Sequence, residues 1–462
     1  MAKQASLGRN VALNGIRTLF NLLFPLVTFP YVSRTLSVDN VGIYGFSDSI
    51  VSYFMMAAAL GIYTYAVREG AKLREDRGRL ERFASEVFTI NMVSMLLSYA
   101  LMALFLLAVP QLNRHAAVIG ILGIQIFFSV IGTEWLYAMF EEFAFITLRS
   151  IAFQLLSLVL LFLLVKGPDD LLAYAGIAAF AGAGSNMVNF FCARRFCRIR
   201  LVRGVPWRRH LPPILVIFST TVAISIYTCS DTTMLGFLCG EHEVGIYAVS
   251  SKIYALAKML LSSVLIVAVP KLSLFLGEGR MEEYRGTLTH VSALVSLLLF
   301  PAATMLFTLS EEFVLLLSDA SYLEAASALR LFCPALLFCL IGWIANDCVL
   351  IPARLERVVL FSTIVSASLN IALNFVLIPL WKADAAAFST IAAEASVMFI
   401  SVRRGLRVAR VGSWLGRDML LMAAGCVPVA LACRWAHGWG LGCGATLAAA
   451  LPLSFLGYAA FL

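Results

Sequence analysis

Charge is scarce in this chain: Asp, Glu, Lys and Arg make up 13% of its 462 residues, where a soluble domain carries roughly a quarter. Water is therefore not its main solvent. No stretch of about ten residues alternates polar with apolar side chains, which excludes the strands of a membrane barrel. No segment between the apolar runs is longer than roughly 20 residues, by the span map given below, so there is no room for a separate nucleotide-binding domain. The phosphate-cradling Gly-x-x-x-x-Gly-Lys-Ser/Thr loop is absent as well. Ten cysteines are present, among them Cys192, Cys229, Cys333 and Cys426. None forms a Cys-x-x-Cys or pairs with a nearby histidine, so they read as small core residues and no metal site or cofactor is expected. The first ten residues, Met1–Asn10, are short and polar, with no Ala-x-Ala site before the first apolar run. No cleaved signal peptide is expected there.

What is abundant is apolar surface. Hydrophobic residues make up 61% of the chain and the mean hydropathy is +0.89. They fall in runs such as Met92–Val109, Ile151–Val165 and Val291–Leu309, close to the roughly 20 residues a helix needs to cross a bilayer. Breaks at charged, Gly and Pro positions place spans at 11–33, 42–67, 83–109, 115–140, 145–165, 171–193, 211–239, 244–269, 287–309, 323–351, 358–379, 384–402, 416–434 and 440–461. Pro25, Pro30 and Pro334 are the expected sites of bends.

The formal charge of +8 is distributed in a way that points away from nucleic acid. Of the 35 Lys and Arg residues, 26 lie in the first ten residues and in or at the edges of alternate linkers, at Arg68–Arg82, Arg149, Arg194–Arg209, Lys271–Arg285, Arg354–Arg357 and Arg403–Arg417. The other linkers hold five: Arg34, Arg114, Lys166, Lys382 and Arg434. Basic linkers stay in the cytoplasm, so both termini are expected there and the number of spans must be even.

The chain also repeats itself. Val41-Gly42-Ile43-Tyr44 opens the second span and Val244-Gly245-Ile246-Tyr247 opens the eighth. Six spans separate the copies, so the halves share one orientation, as in transporters with parallel repeats. The expected fold is an all-α polytopic membrane protein of about fourteen transmembrane helices. It is expected to have a six-helix lobe at 1–200, a second at 201–410 and two further helices at 411–462.

Four basic residues, Arg17, Lys252, Lys258 and Arg330, fall inside spans and more than a turn and a half from either boundary. An ionised group at mid-bilayer costs about 2.5–3.5 kcal/mol on the insertion scale and needs a partner or a wet cavity. Asp48, Arg330 and Asp347 are close enough to span ends to snorkel or pair at the interface. Lys258 and Glu394 are deepest, and Arg17, Lys252 and Asp231 are intermediate. Cations in both halves suit an anionic substrate, phosphate above all. Arg17, Lys252, Lys258, Arg330 and Asn21 are therefore the candidate substrate-binding residues. Asp48, Glu134, Asp231, Asp347 and Glu394 are candidates either to couple transport to an H+ or Na+ gradient or to balance the cations. Buried amides such as Asn186, Asn189, Asn346, Asn370 and Asn374 would glue helices or meet sugar hydroxyls. Gly182 and Gly184 offer a surface for close helix packing.

Several of these segments resemble the Wzx-type polysaccharide flippases of the multidrug/oligosaccharidyl-lipid/polysaccharide exporter superfamily. The resemblance is carried by the stretch from Asn21 through Pro25 and Pro30 to Arg34, by Val41–Tyr44, and by Leu60-Gly61-Ile62-Tyr63 running to Glu69. A second block runs from Leu369-Asn370 through Asn374 to Pro379, then Ala385–Thr390 and Glu394. It covers residues from about 8 to 402 and departs from the usual pattern at Ala385, where glycine is common. It implies a MATE-like, V-shaped bundle around a cationic cavity in the bacterial inner membrane. It also implies an undecaprenyl-pyrophosphate-linked oligosaccharide as substrate, an O-antigen, capsule or exopolysaccharide unit flipped to the outer leaflet by alternating access. Lipid and other polysaccharide assembly proteins are the further partners it suggests. The rival readings are a cation-coupled multidrug exporter, a peptidoglycan-precursor flippase and a membrane polysaccharide polymerase. Lysines in span eight weigh against the first, and the absence of a large outer loop weighs against the last.

Overall fold

Lipid offers a backbone N–H or C=O no partner, so the apolar runs must satisfy their own hydrogen bonds, and they do so as helices. The computed structural model describes residues 7–409 and 417–461, and no strand occurs among the described residues. Twelve helical segments there are long and apolar enough to cross a membrane. One of these lies in α15 (Glu356–Ala409), which folds back on itself at Lys382, where the backbone turns to φ 53° and ψ −127°. Counting its two arms separately and adding the 29-residue α1 (Leu7–Thr35) accounts for the expected fourteen. The chain divides into two compact units, residues 1–233 and 234–462.

The first unit contains α1, α2 (Val38–Ala59), α3 (Ile62–Gly70), α4 (Arg77–Ala108), α5 (Pro110–Arg114), α6 (Ala116–Ile131), α7 (Glu134–Met139), α8 (Phe143–Leu164), α9 (Leu171–Cys192) and most of α10 (Trp207–Leu238). Two expected spans are interrupted. The second breaks at Leu60 and Gly61, both left-handed, with φ 47° and 70°. A Cβ at position 61 would lie 2.9 Å from Cγ2 of Ile217, so backbone and neighbour both call for glycine. The fourth breaks at Thr133, φ 42°, and Glu134 then opens α7, where the helix dipole favours an acid. Gly184 of α9 sits so close to α8 that a Cβ there would run into the Phe153 ring.

The linkers separate by charge in this unit. Arg74 donates to the carbonyl of Met139 and pairs with Glu141 at 3.0 Å, joining two basic-side linkers. At the opposite end the Tyr31 hydroxyl donates to Val165 O and Asn40 Nδ2 to Pro168 O, each at 2.6 Å. The connection from α9 to α10 is a strap along α4. Backbone N–H groups of Arg198, Arg200 and Val202 donate to Glu81 Oε1, Ser85 Oγ and Thr89 Oγ1 at 3.2, 3.1 and 3.1 Å. Donors two residues apart on an extended chain are about 6.6 Å apart, and acceptors four apart on a helix about 6 Å, so the two periods match.

The strap ends at a buried polar lock. His210 of α10 is fully buried, with Nδ1 at 2.8 Å from the Tyr65 hydroxyl and Nε2 at 3.0 Å from Glu86 Oε2. A neutral ring protonated on Nε2 satisfies both contacts: Tyr65 donates to Nδ1 and Nε2–H donates to the carboxylate. Arg82 donates to the other Glu86 oxygen at 3.1 Å. Nearby, burial pushes the Cys197 thiol up to about 11, with Glu81 adding to the effect, so it stays a neutral core residue.

The second unit is built around α14 (Ala325–Trp343), which packs on α11 (Glu241–Gly277), α12 (Met281–Thr308) and α15. α13 (Ser310–Leu317) precedes it, and α16 (Arg417–Ala424), α17 (Cys426–His437) and α18 (Cys443–Phe461) complete the unit. The helix runs on through Pro334, and the departure from regular geometry comes later, in a π turn at Ile344–Leu350. α2 and α11 each begin three residues before their Val-Gly-Ile-Tyr copy. The arms of α15 are joined by buried polar bonds: Asn370 Nδ2 to Ser389 Oγ at 3.1 Å, Ser389 Oγ to Asn374 Oδ1 at 2.5 Å, and Ser366 Oγ to Ala393 O at 3.0 Å. These asparagines glue helices, since both are fully enclosed by protein.

Candidate substrate site

Tyr254 and Lys258 are one helical turn apart on α11, as are Cys339 and Trp343 on α14, so each pair shares a face. Glu394 comes from the second arm of α15. These five residues form one cluster in the second unit. The Lys258 ammonium lies 3.6 Å from Glu394 Oε1, 5.1 Å from the centre of the Tyr254 ring and 5.2 Å from that of Trp343. Both ring distances are within cation–π range. The Tyr254 hydroxyl donates to Glu394 Oε1 at 3.2 Å, and the Cys339 thiol lies against the same carboxylate. Tyr254 is held in turn by a stacked contact with Phe332, 4.6 Å between ring centres. The Glu394 side chain is 5% exposed and that of Lys258 24%, so the cation is the member of the pair that a ligand can reach.

The other candidates are spread more widely. Lys252 is half-buried on α11, six residues before Lys258 and so on a different face of that helix. Asn346 and Asp347 lie in the π turn, and the Asn346 Oδ1 atom is buried without a hydrogen bond. Arg330 pairs with Glu311 at 2.7 Å on an exposed surface. In the first unit, Asp48 of α2 and Asp231 of α10 both lie near Cys229, with Tyr44 and Tyr174 beside Asp48. Glu134 opens α7, as described above. Arg17 and Asn21 are on α1, and their side chains lie outside the described residues. Among the described residues no group of three or more His, Cys, Asp or Glu is arranged to hold a metal ion.

Sequence reasoning missed Tyr254, Trp343 and Cys339. The one available signal was Tyr254, four positions before a buried lysine and so on its face. It also missed the Tyr65, His210 and Glu86 lock, although a carboxylate at position 86 inside an apolar run is the kind of residue that needs a partner.

Residues 7–275, more than half of the chain, match the family described as polysaccharide biosynthesis protein. The chain belongs to that family. A protein of Escherichia coli (strain K12) described as a candidate O-antigen transporter is 28% identical over 279 residues, covering 58% of this chain and 65% of its own length. One from Shigella dysenteriae with the same description is 22% identical over 259 residues, covering 55% and 64%. The match thus spans less than two thirds of either relative. Among solved structures, the lipid II flippase MurJ in an inward closed conformation superposes with a TM-score of 0.78 over 97% of both chains, at 14% identity. An inward-facing MATE family multidrug resistance transporter gives 0.58 over 85% of this chain and 100% of its own, at 13% identity. At such identities the likeness concerns the fold. In this family member the fold is that of a multi-pass, all-helical membrane protein.

Proposed function

We propose that the chain is a flippase, a transporter rather than an enzyme. Its substrate is an oligosaccharide linked to undecaprenyl pyrophosphate, an O-antigen, capsule or exopolysaccharide repeat unit. It moves this lipid from the cytoplasmic to the outer leaflet of the bacterial inner membrane by alternating access, with both chain termini in the cytoplasm. The observation that carries the reading is Lys258, a lysine well inside a membrane-spanning helix, held between two aromatic rings and a carboxylate with part of its surface open. A cation in such a place is costly unless it is used, and a diphosphate is the headgroup that would use it. Family membership and the relatives' description as candidate O-antigen transporters support the glycan. Sugars and diphosphate cannot cross hydrocarbon unaided, whereas the polyprenyl tail stays in lipid throughout.

A second reading, cation-coupled export of amphipathic drugs, is favoured by one observation, the approach of Asp48 and Asp231 to a common neighbour in the first unit. Deletion of the gene separates the two. Flipping requires loss of surface polysaccharide, with lipid-linked units retained on the cytoplasmic side. Normal polysaccharide with heightened drug sensitivity would establish the exporter instead. Lys258→Ala and Arg17→Ala chains, present at normal levels, are each expected to fail in complementing the deletion. Full complementation by both removes the cationic site from the mechanism.

A further inference from the structure

The Lys258 pair is arranged for exchange rather than permanence. At 3.6 Å its Nζ and Oε1 atoms are in ionic contact but beyond a normal hydrogen bond. The ammonium also lies over the rings of Tyr254 and Trp343, which attract a cation without claiming its protons for strong bonds. A phosphate oxygen approaching the exposed side of Lys258 can therefore offer the short, charge-assisted hydrogen bond that Glu394 does not. Glu394 is the enclosed partner. The titratable groups packed against it are Tyr254 and Lys258 from α11 and Cys339 from α14. Lys258 is the cation among these.

We infer that Glu394 is an internal stand-in for the substrate's phosphate, and that it yields Lys258 to the headgroup by taking up a proton. This deepens, and rests on, the reading that Lys258 receives an anionic headgroup. The exchange balances. The ion contact between Lys258 and Glu394 breaks, an ammonium-to-phosphate hydrogen bond forms, and a hydronium ion from solution gives its proton to the Glu394 carboxylate, forming an O–H bond there and leaving water. No other group gains or loses charge. The proton is needed because a carboxylate that has lost the cation beside it, in an apolar enclosure with a hydroxyl and a thiol for company, is strongly disfavoured in its charged form. Headgroup and proton thus enter together. Because the bound form holds one more proton, affinity falls as pH rises, by about tenfold per pH unit where the exchange is complete.

The test is binding of farnesyl diphosphate to the purified full chain in lipid nanodiscs, by calorimetry between pH 6 and 8.5. The wild-type chain should lose affinity with the stated slope, after subtraction of the slope that the phosphate's own titration gives. Glu394→Gln, a fixed mimic of the protonated acid, should bind more tightly than wild type at pH 8, by about tenfold or more on the same linkage, and lose the slope. Glu394→Asp keeps a titrating carboxylate and should keep it. If wild type binds, Lys258→Ala does not, and the Gln and Asp chains behave like wild type in affinity and slope, the exchange is overturned while the anion site stands. An Asp chain that binds without the slope overturns it too. If wild type and Lys258→Ala both fail to bind farnesyl diphosphate, the anion reading itself falls, and the exchange with it.

Discussion

A buried charge is stabilised by its partner, and removing the partner exposes the cost. His210 illustrates this in the first unit. It is fully buried, and with Arg82 it holds the carboxylate of Glu86, while its other nitrogen holds the Tyr65 hydroxyl. His210→Ala takes a partner from two enclosed polar groups at once and should destabilise the chain by about 3 kcal/mol. The measurement is the apparent melting temperature of the purified protein. A variant as stable as the parent would mean that Arg82, whose own side chain is mostly exposed, carries Glu86 unaided. Lys258 and Glu394 pose the same problem in the second unit, and both stood out in the sequence as the deepest charges. That they touch did not, because residues so far apart in sequence are brought together only when α11 and the second arm of α15 meet. The sequence leaves Asn370 and Asn374 open between helix glue and sugar contacts, and the packing of α15 decides for glue.

At the scale of elements, the sequence disclosed the helices but not their interruptions. Hydrophobic periods locate a span, whereas a left-handed break such as Leu60 and Gly61 depends on what lies opposite, here Ile217 of another helix. The π turn at Ile344–Leu350 likewise carries no proline to announce it. The strap is the least legible element. Its residues from Phe196 to Pro206 read as a basic linker, yet alternate N–H groups are bonded to α4 at fixed intervals. Replacing Ser85 and Thr89 together by alanine leaves Arg200 and Val202 without these acceptors, at a cost of about 1 kcal/mol each. Limited proteolysis should then cut between residues 196 and 206 sooner than in the parent, with α4 itself still protected. Unchanged cutting would mean that the strap is held by its apolar residues and the remaining bond from Arg198 N–H to Glu81.

For the whole molecule, the alternation of basic and nearly neutral linkers was the strongest feature of the sequence, and in the first unit hydrogen bonds gather each set at its own end. The proposed orientation, with the basic end in the cytoplasm, rests on the positive-inside rule. Reporter enzymes fused after Gly204 and Arg354 should therefore be active only as cytoplasmic reporters, and fusions after Lys166 and Lys382 only as external ones. The reverse pattern would invert the assigned direction of transport. The buried lock adds a constraint on how the protein is made. Glu86 and its histidine are 124 residues apart, and a ribosome adding 5–20 residues per second needs roughly 6–25 s to cover that distance. For that time Glu86 waits at the membrane with Arg82 for company, while the helices from α5 to α9 are threaded past it. The polar contacts of His210 in the first unit can form only once the start of α10 has emerged. A chain truncated before residue 210 lacks one partner of both Glu86 and Tyr65, and is expected to be cut by added protease sooner than the full chain.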